Sequence, residues 1–324
     1  MSLAKNLAED PVARRARRLA VVCLATAAIA ACASPSDDGT TPDSRRTDGP
    51  DTVQVASASL TLEGRITQSV ADAAQRGADV TIALLDRREG HYESFADTTP
   101  FPTASVAKLF IADDLFYRES TAELVLTDDE HHLVAAMLES SDDDAANQLW
   151  DDYGTSDIVD DVVSRYGLTD TTVPYDDHWW NTMTTGRDLV DYYSAVLDGR
   201  GGLDPAHRDE MMTYLRTSHP TAADGYDQTF GIPAGLPDET EVAVKQGWMC
   251  CVDDRWTHVS TGVIGPDDRY VLVLVSREDL DYEGTDADYP DTSLTAAVDD
   301  VSAAHARETI TGVVRTLFPQ RRID

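Results

Sequence analysis

The sequence predicts an α+β fold: one antiparallel sheet flanked by helices from the two ends of the chain, with an all-helical lobe inserted after its second strand. Three observations carry this prediction. Apolar residues alternate or run continuously in two short stretches between Asp79 and Ala96 and in three more between Glu241 and Ser276. Between these two sets, from about residue 105 to 215, the spacing is helical. Helical spacing also marks a first segment, Leu60–Arg76, and a last one, Val298–Leu317.

Each element has a local reason. Leu60–Arg76 carries apolar residues on one helical face. Asp79–Leu85 and His91–Ala96 read as strands joined by the polar turn Arg87-Arg88-Glu89-Gly90. A helix is expected to begin at Ser105, after Pro100 and Pro102, and to run to Tyr117. Thr127 followed by Glu130 is a capping box for the next helix. Asp144–Tyr153, Asp157–Tyr166, Gly186–Leu197 and Pro205–Leu215 continue the helical block. The period then changes, and Glu241–Gln246, Trp256–Ile264 and Arg269–Ser276 are expected strands, the last two joined through Gly265-Pro266-Asp267-Asp268.

The two termini of this pattern differ in kind. Arg14, Arg15, Arg17 and Arg18 precede an apolar run, Leu19 to Ala31, that is short of the roughly 20 residues a membrane span needs. It ends Ile29-Ala30-Ala31-Cys32, which resembles a bacterial lipobox, the pattern in which the cysteine becomes the lipidated first residue of the mature chain. A plain signal peptide, or a retained anchor beside an incidental cysteine, is the alternative. The expected organisation is a lipoprotein signal peptide over 1–31 and a flexible tether over 32–55, rich in Ser, Asp, Thr, Gly and Pro. A catalytic domain follows over 56–324, with an α/β lobe formed by 56–100 and 225–324 and a helical lobe by 101–224. The protein is thus expected to be exported and lipid-anchored to the outer face of the cytoplasmic membrane.

Charge and cysteine content narrow the function. The 324 residues hold 59 acidic and 26 basic side chains, a net charge of −33. Such a surface repels nucleic acid and anionic lipid, so nucleic-acid binding is excluded as a class. Of four cysteines, Cys23 and Cys32 lie in or at the end of the export segment. The adjacent pair Cys250 and Cys251 forms either a vicinal disulfide or, the preferred reading, two thiols on opposite sides of a strand. No His/Cys spacing suggests a metal site, no cofactor is implied, and nothing argues against a monomer.

The chemistry is concentrated in three short motifs. Thr103-Ala104-Ser105-Val106-Ala107-Lys108 sets a serine and a lysine three residues apart, on one face of the first helical turn. A lysine kept in a dry pocket beside a second cation can lose its proton and take one from the serine hydroxyl. Ser141-Asp142-Asp143-Asp144-Ala145-Ala146-Asn147 falls between two helices, and Lys245-Gln246-Gly247 lies near the end of a strand. Each motif is weak alone; the ordered set is specific.

Ser-x-x-Lys, Ser-Asp-x and Lys-x-Gly in this order, on this element pattern, resemble the serine β-lactamase and penicillin-binding protein family, and within it the class A β-lactamases. The resemblance covers nearly all of the exported domain and implies the β-lactamase/transpeptidase-like fold. It implies Ser105 as nucleophile, Lys108 as acylation base and Ser141 as proton relay to the leaving nitrogen. Lys245 would draw in the substrate carboxylate, and the backbone N–H groups of Ser105 and Trp248 would form the oxyanion hole. Asp177-His178-Trp179-Trp180-Asn181 matches the carboxylate and asparagine spacing of the loop that supplies the deacylating glutamate, which makes Asp177 the candidate deacylation base and Asn181 its companion. Asn147 is expected to buttress the site. Gln246 and Gly247 fall in the substrate-binding motif, and Arg255 is either a carboxylate clamp or a surface arginine.

Three departures from the family pattern bear on rate. Asp143 stands where asparagine is usual, trading an N–H donor for an acidic acceptor that disfavours an amide side chain unless it pairs with Lys108. Gln246 replaces a hydroxyl residue that helps hold the substrate carboxylate. Asp177 is one methylene shorter than glutamate, and a misplacement of about 1 Å can cost on the order of a hundredfold. The expected function is a lipid-anchored serine hydrolase acylated by β-lactams through Ser105 and hydrolysing them, at a rate these departures would lower. The alternatives are a D,D-peptidase or penicillin-binding protein acting on peptidoglycan peptides, and a catalytically degenerate cell-wall-binding lipoprotein.

Overall fold

The computed structural model describes residues 60–280 and 301–323. The signal segment 1–31, the tether 32–55 and Cys32 lie outside the described residues. The chain enters through α1 (Leu62–Gln75), where the Thr61 hydroxyl accepts the Gly64 amide at 3.2 Å and so caps the helix. A hairpin follows, β1 (Ala78–Asp86) and β2 (His91–Phe95), with Asp86 opposite His91. Asp86 closes the turn by accepting from the amides of Arg88 and Glu89 at 3.0 and 3.2 Å. The Arg269 guanidinium, hydrogen-bonded to the same carboxylate, holds its pKa below the usual range.

The helical block comprises α2 (Lys108–Ser120), α3 (Asp128–Glu139), α4 (Asp143–Tyr153), α5 (Ser156–Tyr166), α6 (Gly186–Leu197) and α7 (Pro205–Arg216). Their boundaries follow from capping chemistry. Thr127 and Glu130 form the expected capping box, Asp142 accepts the Ala145 amide at 3.0 Å to start α4, and Asp204 with Pro205 starts α7. Two short strands, β3 (Phe101–Pro102) and β4 (Met183–Thr184), pair within this half of the chain.

Helix α2 is the hub of the block: every residue from Lys108 to Phe116 is buried. An ionisable side chain in such a place needs partners. Asp113 has them, pairing with Arg165 of α5 and accepting from the hydroxyls of Tyr166 at 2.6 Å and Tyr192 at 3.2 Å. These contacts tie α5 and α6 to α2, and burial pushes the Asp113 carboxyl pKa up against their opposing pull.

A one-turn helix, α8 (Ile232–Gly235), leads back to the sheet. Strands β5 (Val242–Val252), β6 (Arg255–Ile264) and β7 (Tyr270–Asp279) join the hairpin in the order β2-β1-β7-β6-β5, every neighbouring pair antiparallel. Helix α9 (Val301–Leu317) packs beside α1. Both faces of the sheet are covered. Val259, Val263, Val271, Val273 and Val275 join the core of the helical block. Trp256, Ile264, Leu272 and Leu274 join Ile66 and Ala73 of α1 and Ala306, Ile310 and Val314 of α9. Burial on both sides is why β7 reads as an unbroken apolar run, each fully buried aliphatic contributing about 1.5–3 kcal/mol.

Two local expectations change. The helix expected from Ser105 begins at Lys108; Ser105 itself lies in a 3₁₀ turn, Ala104–Ala107, because Ala104 has a left-handed backbone (φ 47°). Strand β5 runs past Gln246 to Val252, and its register with β6 shifts between Met249 and Val252. At that irregularity Cys250 and Cys251 are joined in a vicinal disulfide, not presented as separate thiols on opposite sides. No helix among the described residues is long and apolar enough to cross a membrane.

Candidate active site

The site forms where the 3₁₀ turn before α2, the loop before α4 and edge strand β5 meet. Lys108, the first residue of α2, is fully buried and lies 3.0 Å from Ser105 Oγ. Its Nζ also donates to the Ser141 carbonyl at 2.6 Å, approaches Ser141 Oγ at 3.3 Å, and pairs with Asp143 Oδ1 at 2.5 Å. From β5, Lys245 Nζ reaches the same Ser141 hydroxyl at 2.8 Å. Ser105, Ser141 and Lys245 are all buried. The five side chains Ser105, Lys108, Ser141, Asp143 and Lys245 therefore make one connected polar cluster.

Electrostatics follow from this packing. Burial is the largest influence on Lys108 and lowers its pKa from the ordinary 10.5, while Asp143 opposes that shift. Lys245 is lowered well below 10.5, first by burial and then by the neighbouring Lys108 charge. A second carboxylate, Asp224, faces this group; burial pushes its pKa up, and the negative charge of Asp143 adds to the effect. The backbone is also strained here. Ala104 (φ 47°) and Ser141 (φ 53°) both adopt the left-handed region, at a cost of order 1 kcal/mol or more each, which the surrounding contacts must offset.

Gly247 explains the glycine of the third motif. A Cβ on it would stand 2.8 Å from the Thr103 carbonyl and 3.2 Å from the Ser105 amide, so only glycine lets β5 lie against the Ser105 turn. As the edge strand, β5 leaves outward-facing backbone groups unpaired by the ladder on the side that meets this turn.

Other sequence candidates are placed differently. Gln246, the neighbour of Lys245, points to the opposite face of β5 because strand side chains alternate. It is buried, and its amide donates to the Phe230 and Gln228 carbonyls at 2.5 and 3.2 Å, so it braces the segment behind the strand and does not present itself to a substrate. Trp248 lies on that same face and stacks on Tyr226 at 4.6 Å; its side chain packs there, whatever its backbone N–H does. Arg255 is bound to Asp79 at 2.7 Å and Asp279 at 3.0 Å, a tie from β6 to adjacent β7 and, beyond it, β1; both carboxylates consume the charge a substrate clamp would need.

The loop candidates also part from the cluster. Asp177 is exposed, with φ 64°, and its carboxylate accepts from Ser156 Oγ at 2.7 Å at the start of α5. Asn181 donates to Asp176 at 2.9 Å. The loop instead sends Trp179 inward. Its buried ring lies 4.7 Å from Lys108 Nζ, a cation–π contact, and its indole N–H donates to Asn147 Oδ1 at 2.8 Å. Asn147 thus buttresses the loop through an indole. Loop residues carry no periodicity, so nothing in the spacing distinguishes an inward Trp179 from an inward Asp177.

Sequence reading also missed the support beneath Lys245. Thr261 Oγ1 donates to the Lys245 carbonyl at 2.9 Å, and the Tyr193 hydroxyl lies 2.8 Å from Thr261. The signal was present: Thr257 and Thr261 are polar residues at positions of β6 that face the helical core. Among the described residues no group of three His, Cys, Asp or Glu side chains is placed to hold a metal ion.

A helical lobe beside an antiparallel sheet, with two serines and two lysines converging at their junction, is the β-lactamase fold. The chain belongs to the β-lactamase enzyme family, whose model matches residues 129–306. It is 44% identical over 262 residues to the protein named "Putative lipoprotein LppW" of Mycobacterium tuberculosis (strain ATCC 25618 / H37Rv), covering 81% of this chain and 76% of that one, and equally so to its Mycobacterium bovis counterpart. Among solved structures it is similar to a β-lactamase from Sphaerobacter thermophilus DSM 20745 (TM-score 0.59, 16% identity, 80% of this chain and 97% of that chain). It is also similar to PBP-A (TM-score 0.59, 18% identity, 79% and 94%), a variant of which has been captured as an acyl-enzyme with penicillin G. At these identities the structural likeness is one of fold.

Proposed function

We propose that this protein is an exported serine acyl-enzyme, acylated at Ser105 by β-lactams or by the D-alanyl peptides they mimic. One observation carries the reading: a buried lysine amine 3.0 Å from a serine hydroxyl, with a second serine hydroxyl shared between that lysine and another. Ser105 Oγ attacks the carbonyl carbon as Lys108, neutral in the active form, takes its proton. Ser141 passes a proton to the departing nitrogen, and Lys245 attracts the substrate carboxylate and orients Ser141. Backbone N–H groups of Ser105 and Trp248 hold the oxyanion, each such donor being worth about 3–4 kcal/mol where one has been removed. The name of the mycobacterial relative supports a lipid anchor at Cys32, which would hold the domain at the outer face of the membrane.

A second reading, a penicillin-binding protein or D,D-peptidase that handles peptidoglycan peptides, is favoured by Asp177, whose exposed carboxylate accepts from Ser156 and, among the described residues, makes no hydrogen bond to the Ser105 cluster. Intact-mass spectrometry after brief and long exposure to a fluorescent penicillin, beside Ser105→Ala, tests both. A Ser105-dependent adduct that fades supports a hydrolase, and one that persists supports the second reading. No adduct across several β-lactams rejects acylation by this class.

A further inference from the structure

Hydrolysis of an ester on Ser105 needs a base that can take a proton from water beside it. The carboxylate of the loop is committed elsewhere, since Asp177 accepts from Ser156 and is exposed. The place beside Lys108 that the loop fills is taken by the Trp179 ring, 4.7 Å from Nζ, which can accept no proton. One carboxylate touches the cluster directly. Asp143 Oδ1 is 2.5 Å from Lys108 Nζ, which is itself 3.0 Å from Ser105 Oγ, so a single side chain links this carboxylate to the nucleophile. We infer that Asp143 is the general base of deacylation, in place of the loop residue Asp177. This rests on the acyl-enzyme reading above.

The placement suits the role. The Asp143 side chain is 49% exposed, so water reaches it, whereas Lys108 is fully buried. Oδ1 is held by Lys108, and among the described residues Oδ2 has no hydrogen-bond partner. Asp143 opens α4, where the helix N-terminus favours a carboxylate and the Asp142 cap fixes the backbone. Trp179 and Asn147 wall the adjoining side through their 2.8 Å bond. The carboxylate is therefore fixed on one oxygen and available on the other.

The step balances. Asp143 Oδ2 takes a proton from water as the water oxygen bonds to the ester carbon and the carbonyl electrons move onto oxygen. On collapse the carbon–Oγ bond breaks, Asp143 passes the proton it took from water to the neutral Lys108 amine, and Lys108 passes one on to Ser105 Oγ. The products are free Ser105, the carboxylic acid and Asp143 in its starting carboxylate form.

The experiment is a pulse of fluorescent penicillin followed by a chase, read by intact mass, on the purified protein and on Asp143→Asn, Asp177→Asn and Ser105→Ala, with the decay rate measured across pH. Asp143→Asn is expected to form the adduct and to slow its decay on the order of a hundredfold, with loss of the acid limb of the decay profile. Asp177→Asn is expected to decay as the parent does. The inference is overturned if Asp143→Asn releases the adduct at the parent rate, if Asp177→Asn is the variant that traps it, or if Asp143→Asn loses acylation and deacylation together, which would make Asp143 a positioning residue for Lys108. A parent adduct that never decays overturns this inference alone. Absence of any Ser105 adduct in the parent overturns the acyl-enzyme reading and this inference with it.

Discussion

Lys245 on the edge strand and Lys108 at the start of α2 share one hydroxyl: Ser141 Oγ lies 2.8 Å from the first amine and 3.3 Å from the second. Two ammonium groups so placed and so buried cannot both keep ordinary proton affinity, and burial lowers both.

Acylation should therefore rise with pH through a midpoint below that of a free lysine amine. Asp143 stabilises the charged form of Lys108, so Asp143→Asn should move that midpoint to lower pH. The pH profile of adduct formation measures the shift; a midpoint that stays put or rises contradicts it.

Gly247→Ala should impair acylation. The added methyl would meet the Thr103 carbonyl at 2.8 Å and the Ser105 amide at 3.2 Å, displacing β5 from the Ser105 turn. Overpacking of this kind costs about 1–3 kcal/mol, so denaturant unfolding should show a loss of that size beside the slower acylation.

Asp113→Ala should destabilise the helical lobe by about 3–5 kcal/mol. It leaves Arg165 without its buried carboxylate, strips the Tyr166 hydroxyl of its acceptor and leaves the Tyr192 hydroxyl only the longer bond to the Leu109 carbonyl. Thermal unfolding reads the loss, and the cluster around Ser105 is not part of this network.

His258 supplies a pH dependence of folding. It is fully buried behind β6, with its Nε2 2.7 Å from the Tyr226 hydroxyl, and burial lowers its pKa from 6.5 to about 3, the Arg307 charge adding to the effect. Between these values the unfolded chain binds a proton there and the folded chain does not. Stability from this group is thus complete above about pH 6.5 and falls as pH drops towards 3, by about 1.4 kcal/mol per pH unit. His258→Gln should flatten that part of the stability profile.

Much of the fold was legible because its signals are local or periodic. Thr127 and Glu130 cap a helix wherever they stand in this spacing, and the alternating strands of the hairpin need no tertiary information. The serine and lysine pairs were legible as an ordered set. What the spacing does not give is direction. Strand alternation turns Gln246 and Trp248 away from the face that Lys245 and Gly247 share, a consequence of period two that motif matching passes over. Arg255 found Asp79 and Asp279 across the sheet, partners that sequence distance conceals. The loop exchanged Asp177 for Trp179 because a buried indole gains more from the core than an exposed carboxylate would.

The indole of Trp179, 4.7 Å from the Lys108 amine, gives the site an optical gauge of its own. The field of an ammonium across the ring perturbs the dipolar excited state of tryptophan, and loss of one proton removes that field. The part of the steady-state emission of the five tryptophans that Trp179→Phe removes can therefore follow the charge of Lys108 in the resting protein, without a substrate, a label or a turnover.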